Sequence, residues 1–172
     1  MAASVQALID ALDRERLTLL SEVDALGAET LAAHPESGAW SILKILEHLV
    51  VAEAIILQGL PPIADLVDRP RTLKQRILLQ VVMAILRFGI PVKVPTRRMV
   101  PTGEVPLHEL RKRWDGHLHW LRTLARGLDA EGERRAVFQH PVAGPMTLPQ
   151  ALRMDRLHLG VHWRQIRKRQ GA

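Results

Sequence analysis

The chain has 172 residues with a net charge of +6; 47% are apolar but only 3% aromatic, and there is no Cys or Tyr. That length suits one domain spanning 1–172 with an aliphatic core. The missing Cys excludes a disulfide framework, a thiolate zinc site and a Cys nucleophile, so any metal site must use nitrogen and oxygen ligands.

The charge fits attraction to anionic partners, but the preferred reading is an arginine-rich composition with a cationic helix end that suits the macrodipole. Its local clusters are 164-RQIRKR-169, 97-RR-98 and Arg111 to Arg113. No nucleic-acid motif or aromatic platform accompanies them, so nucleic acid is not an expected partner. The N-terminus carries early acidic residues and no long apolar core, which reads against a signal peptide. The longest apolar run, 81-VVMAIL-86 with its neighbours, falls short of the ~18–20 residues a membrane span needs. A cytoplasmic protein without a membrane partner is the expectation.

Val5, Leu8, Leu12, Leu19, Val23 and Leu26 recur at the helical period, which predicts a first helix over 3–26, ended by Gly27. Residues 30–40 read as a connection. A second helix is predicted over 41–58, with Ser41 as N-cap and Trp40 as a hydrophobic lid on its first turn. His48 shares its apolar face with Ile45, Leu49, Ala52 and Ile55, so it needs a polar partner.

Residues 60–70 form a Pro-bearing link to a third helix over 71–88. Its second half is apolar almost all round, so it should be fully buried or shared with a partner. Residues 89–105 hold three prolines and two glycines and read as a long irregular crossover. A fourth helix is predicted over 106–128, with Pro106 in its first position and a stripe from Leu107 to Leu124. Within the connection 129–146, 138-FQHPVAGPM-146 reads as a short hairpin or tight loop, and no other strand is expected. Thr147 and Gln150 form a T-x-x-Q start signal for a final helix reaching about Gln170. Five helical segments with long crossovers predict an all-α bundle: four principal helices, with the third predicted helix as an accessory.

Eight histidines are present. His158 and His162 lie one turn apart on one face of the final helix, and His48 lies on the buried face of another. Together they form a candidate three-histidine metal site with coordination left open, the pattern of catalytic zinc. The spacing alone equally fits a chance pair in a His-rich chain, with His48 an ordinary buried histidine. His117 is a reserve ligand beside Trp114, while His34 and His140 precede prolines in loops and His108 sits in a first turn. Asp155 and Gln165 are candidates to support a ligand imidazole, and Glu53 is a candidate proton acceptor. No H-E-x-x-H, Gly-rich phosphate loop or G-x-S-x-G is present.

Trp40-Ser41, then 45-ILEHLVVAE-53, then 140-HPVAGPMTLPQAL-152, then H-x-x-x-H-x-x-Q at His158, His162 and Gln165, together resemble the DinB-like (DinB/YfiT) superfamily. Segment 71–105 carries least of the likeness. The resemblance implies a four-helix bundle holding a divalent metal through His48, His158 and His162. It further implies relatives that are thiol transferases using low-molecular-weight bacterial thiols, or mycothiol-dependent isomerases, and that are often homodimers. The expected function is a metal-dependent enzyme of the thiol-transferase or hydrolase type. It would use zinc, nickel or iron and a small-molecule substrate such as a low-molecular-weight thiol. The alternative is a non-catalytic metal-stabilised bundle acting through a dimer or partner surface.

Overall fold

In a computed structural model, which describes residues 4–35, 38–91 and 96–170, most of the chain is helical. Helix α1 spans Val5–Asp24, α2 Ala28–Ala32, α3 Ile42–Gln58, α4 Leu73–Phe88, α5 Leu107–Gly127 and α6 Leu148–Gln170. One antiparallel hairpin, β1 (Ala136–His140) with β2 (Gly144–Thr147), precedes α6. Among the described residues no helix is long and apolar enough to cross a membrane.

Four long helices share one aliphatic core. Helix α1 packs against α5 and α6, and α3 packs against the same two. Ile9, Leu19, Ile45, Leu118, Leu159 and Ile166 are fully enclosed at their junction. Removing such surface from water is the main stabilising term, roughly 1.5–3 kcal/mol per side chain of this size.

The helix boundaries follow local chemistry. The Ser41 hydroxyl accepts from the Lys44 N–H at 3.2 Å, as its N-cap role requires. Thr72 and Gln75 close a full capping box on α4 that the sequence reading did not pick out. At the start of α6 only half of a box forms, with the Thr147 N–H donating to Gln150 Oε1 at 3.0 Å. Gly27 does not end α1. It caps α2, a single-turn helix inside the segment expected to begin a plain connection. Pro106 likewise sits one position before the first helical residue of α5.

Of the two readings of the connection before α6, the short hairpin is the one that forms, with its first strand beginning at Ala136. His140 Nδ1 accepts from the Val142 and Ala143 N–H groups at 3.1 and 3.0 Å, and Gly144 turns the chain at φ +73°. A side chain at Gly144 would also strike Gln75 of α4. Helix α4, apolar nearly all round in its second half, is not engulfed, which corrects the expectation of full burial and leaves a shared face as the other reading. It leans on α6, and Leu79 is its one buried residue. One face lines a large cavity through Leu78, Val82, Ile85 and Leu86, and the outward face leaves Leu73, Ile77 and Phe88 exposed.

Candidate metal centre

Helix α6 presents two different faces. Leu148, Leu152, Leu159 and Ile166 enter the core, whereas Ala151, Asp155, His158, His162, Gln165 and Arg169 recur every three or four residues along a cavity of about 1020 Å³. Across from them α3 contributes His48, Ala52, Glu53 and Ile56 to the same cavity. Because both helices are locked into the core by their other faces, the imidazoles they carry are preset.

The three histidines converge. Ring centroids lie 4.8 Å apart for His48 and His162, 5.3 Å for His48 and His158, and 4.6 Å for His158 and His162. One nitrogen from each falls within 4.8 Å of the others, close enough to share one ion. His158 Nε2 and His162 Nε2 are 3.0 Å apart. That is near the ~3.3 Å edge of a nitrogen tetrahedron built with ~2.0–2.1 Å metal bonds. Among the described residues no Asp, Glu or fourth His joins the group.

The surroundings set which nitrogen is free. His48 Nδ1 lies 2.7 Å from the Met99 carbonyl, which can only accept, so the proton sits on Nδ1 and the Nε2 lone pair is left bare. His162 Nδ1 meets Gln165 Oε1 at 2.9 Å, with the same outcome. Such outer partners fix tautomer and ring orientation in metal sites. Trp40 tilts against His48 with 5.0 Å between centroids and lines the cavity beside it, so its place is at the histidines as well as on the first turn of α3.

Electrostatics keep all three rings neutral. Burial pushes His158 down to about 3, helped by the neighbouring His162 and His48. Burial pushes His162 down to about 4, with His48 adding to the effect and Gln165 opposing it. His48 is lowered by burial against the raising effect of the Met99 carbonyl. Neutral imidazole is the form that binds a metal.

The Met99 carbonyl is delivered by the crossover. Glu47, buried next to His48 in the chain, accepts from the Thr102 N–H at 3.1 Å, the Thr102 hydroxyl at 2.9 Å and the Gly103 N–H at 2.5 Å. Gly103, at φ +83°, lets the loop lie against Lys44, which any β-carbon there would strike at 2.6 Å. Residues 92–95 of the expected crossover lie outside the described residues.

The same cavity wall holds two acids. Glu53 is buried; its Oε2 accepts from Trp114 Nε1 at 2.6 Å, and its Oε1 has no hydrogen-bond partner. Asp155 is half-buried and lines the cavity. Burial raises its pKa well above the usual carboxylate range, and the nearby Glu53 charge raises it further. A carboxyl whose pKa is raised and a second acid with one oxygen lacking a hydrogen-bond partner thus share one cavity.

His117, the reserve ligand, is turned toward this acid pair: its Nδ1 sits 3.8 Å from Glu53 Oε2 and away from the triad. His34, His108 and His119 are exposed, and His140 serves its own turn. The sequence reading missed two contributors, Glu47 and Met99. Glu47 carries a signal, since a Glu one residue from a buried His must itself find partners. A backbone carbonyl carries none.

Comparison with protein families matches residues 11–166 to the DinB superfamily. The chain belongs to the DinB superfamily. No curated protein and no solved structure gives a significant match. DinB membership and the three-histidine cluster together fit a metal-binding protein. The segment that bears least of the DinB motif pattern, 71–105, is also the one that builds the far wall of the cavity through α4.

Proposed function

We propose that the chain is a cytoplasmic, divalent-metal-dependent enzyme of the thiol-transferase or hydrolase type, built as a four-helix bundle with α4 as an accessory. Its ligands are His48, His158 and His162. The observation that carries this reading is three neutral imidazoles with no fourth protein ligand among the described residues, all opening onto one cavity. A structural zinc site closes its coordination with protein groups, whereas a catalytic one keeps a position open.

A divalent ion there would lower the pKa of a bound water or thiol. Glu53 Oε1, open to accept, would be placed to take a proton from a substrate in the cavity, and Asp155, its pKa raised by burial, would be placed to supply one. Lys168 and Arg169 line the cavity, and Arg169 Nε is buried without a partner, so an anionic thiol or carboxylate finds its counter-charge beside the histidines. The mostly aliphatic walls suit an apolar electrophile. Zinc, nickel and ferrous iron all accept three imidazoles, and availability selects among them.

The test loads purified protein with each metal and follows loss of a low-molecular-weight thiol in the presence of an electrophile. His158→Ala should lose both metal and turnover. Glu53→Gln should keep the metal, slow turnover and change its pH profile. Metal content in His158→Ala equal to that of the parent would sink the triad.

A second reading rests on the exposed stripe of α4, where Leu73 is 74% and Phe88 76% exposed. Patches of this kind mark interaction surfaces. On that reading the metal stabilises a bundle that works through a homodimer or partner contact. A metal-loaded dimer that consumes no thiol would favour it.

A further inference from the structure

A second, smaller depression of about 190 Å³ lies on the other side of the hairpin from the histidines. Four arginines line it: Arg69 and Arg71 from the link before α4, Arg76 from α4, and Arg134 from the turn before β1. Ala136, Pro145, Thr147 and Gln150 complete the wall, and no acidic residue contributes. The basic clusters visible in the sequence are elsewhere, so the fold alone assembles this one.

The assembly is braced. A backbone bridge from Val67 to Ala136 ties the link to β1, bringing Arg69 and Arg71 alongside Arg134. Gln150 Oε1 accepts from both the Thr147 N–H and Arg71 Nη2, the latter at 2.7 Å, which holds the Arg71 guanidinium in place.

The charge in it is unanswered. Among the described residues none of the four arginines pairs with a carboxylate, although nine arginine–carboxylate pairs form elsewhere. Arg71 Nε is buried and has no hydrogen-bond partner. Burial lowers the Arg71 pKa, and the Arg76 charge lowers it further, as expected of cations crowded without a counter-ion. A buried, unsatisfied guanidinium N–H is costly, and an oxyanion would supply the missing acceptor. Arginine forks match tetrahedral oxyanions in geometry, and a phosphate group carries about −1.5 to −2 charge at neutral pH.

We propose that the depression lined by Arg69, Arg71, Arg76 and Arg134 binds a small phosphate-type dianion, either free phosphate or the phosphate of a small monoester. Its size suits one such group. It is distinct from the metal cavity but shares a wall with it: Ala136 and Thr147 line the anion site, while their chain neighbours Val137 and Leu148 line the cavity. A bound dianion would clamp the link, the hairpin and the start of α6 together.

The test uses the full chain stripped of metal by a chelator, so that phosphate cannot act through the histidines. Inorganic phosphate is titrated by calorimetry and by thermal unfolding, with chloride holding ionic strength constant. Expected are saturable one-site binding and a rise in the unfolding midpoint, with acetate far weaker. Arg71→Gln should weaken phosphate at least about tenfold, the cost of one charge-assisted contact. Arg134→Gln should weaken it too. Arg134 is exposed and its side chain makes no hydrogen bond among the described residues, so that variant should fold even if Arg71→Gln does not. Glycerol 3-phosphate binding tighter than phosphate assigns a monoester, and weaker assigns the free ion. No saturable binding, or binding unchanged in both variants, would overturn the site.

Discussion

The two walls of the large cavity are built on opposite terms. The α3–α6 wall is polar, buried and hydrogen-bonded, with His48, His162, Glu47 and Glu53 all nearly inaccessible. The α4 wall is aliphatic and half-open, with one buried residue in the whole helix. The first wall can fix atoms to within a fraction of an ångström, because His48, His162 and one oxygen of Glu53 are each held by a hydrogen-bond partner. The second offers shape and apolar surface, and its residues can change without disturbing the chemistry opposite. On the proposed function, reactivity would belong to the first wall and selection of the substrate to the second.

The largest break in that contrast is loss of a ligand. His158→Ala and His48→Ala should each abolish stoichiometric metal binding and erase the rise in unfolding temperature that added zinc gives the parent. The fall in affinity should exceed the roughly 10–100-fold typical of losing an outer-shell partner. Elemental analysis and calorimetric titration read it directly.

Next come the supporting groups. Gln165→Ala removes the acceptor at His162 Nδ1 and should weaken metal by about 10–100-fold with the fold intact. Glu47→Ala strands three donors of the crossover and should destabilise the protein by about 1–3 kcal/mol while also weakening metal. Denaturant unfolding separates the two, since only Glu47→Ala should shift the midpoint of the metal-free protein.

Acid probes the same wall more gently. His158 and His162 titrate at about 3 and about 4 when folded, below the ordinary imidazole value of 6.5. The unfolded chain therefore takes up protons first as pH falls below 6.5. The stability of the metal-free protein is full above that value and is lost progressively as pH falls toward 4 and 3. Protons compete poorly for the folded imidazoles, so metal affinity measured on the folded protein should stay nearly flat from pH 8 to about 5 and drop below. A decline centred near 6.5 would show histidines in ordinary solvent.

The smallest effects belong to α4. Phe88→Ser and Ile77→Ser should change stability by no more than about 0.5 kcal/mol and leave metal content untouched. Leu86→Trp, on the cavity face, should also retain metal while reducing turnover of bulky substrates. A loss of metal in Leu86→Trp would break the separation between the walls.

Much of this was legible in residue order. The Ser41 cap, the helical stripes and the placement of His48 on an apolar face follow from local periodicity, and they brought the three histidines into one group. The DinB motif pattern then gave them a shared purpose. Other features depend on distance. The Met99 carbonyl reaches His48 across 51 positions, and a main-chain oxygen looks the same in every residue. The pairing of Glu53 with Asp155 requires α3 and α6 to face each other. The α4 pattern was ambiguous for a different reason, since an apolar helix surface does not record whether it meets a core, a cavity or water.

Glu47 and His48 are consecutive on α3, and both reach into the crossover, one through Thr102 and Gly103 and the other through Met99. The loop is therefore tied to the histidine cluster through two neighbouring side chains. The Thr102 and Gly103 amides should exchange their protons with water through opening of that loop. A ligand that tightens His48 should slow that exchange, so occupancy of the histidine site would be read from two backbone protons that never touch it.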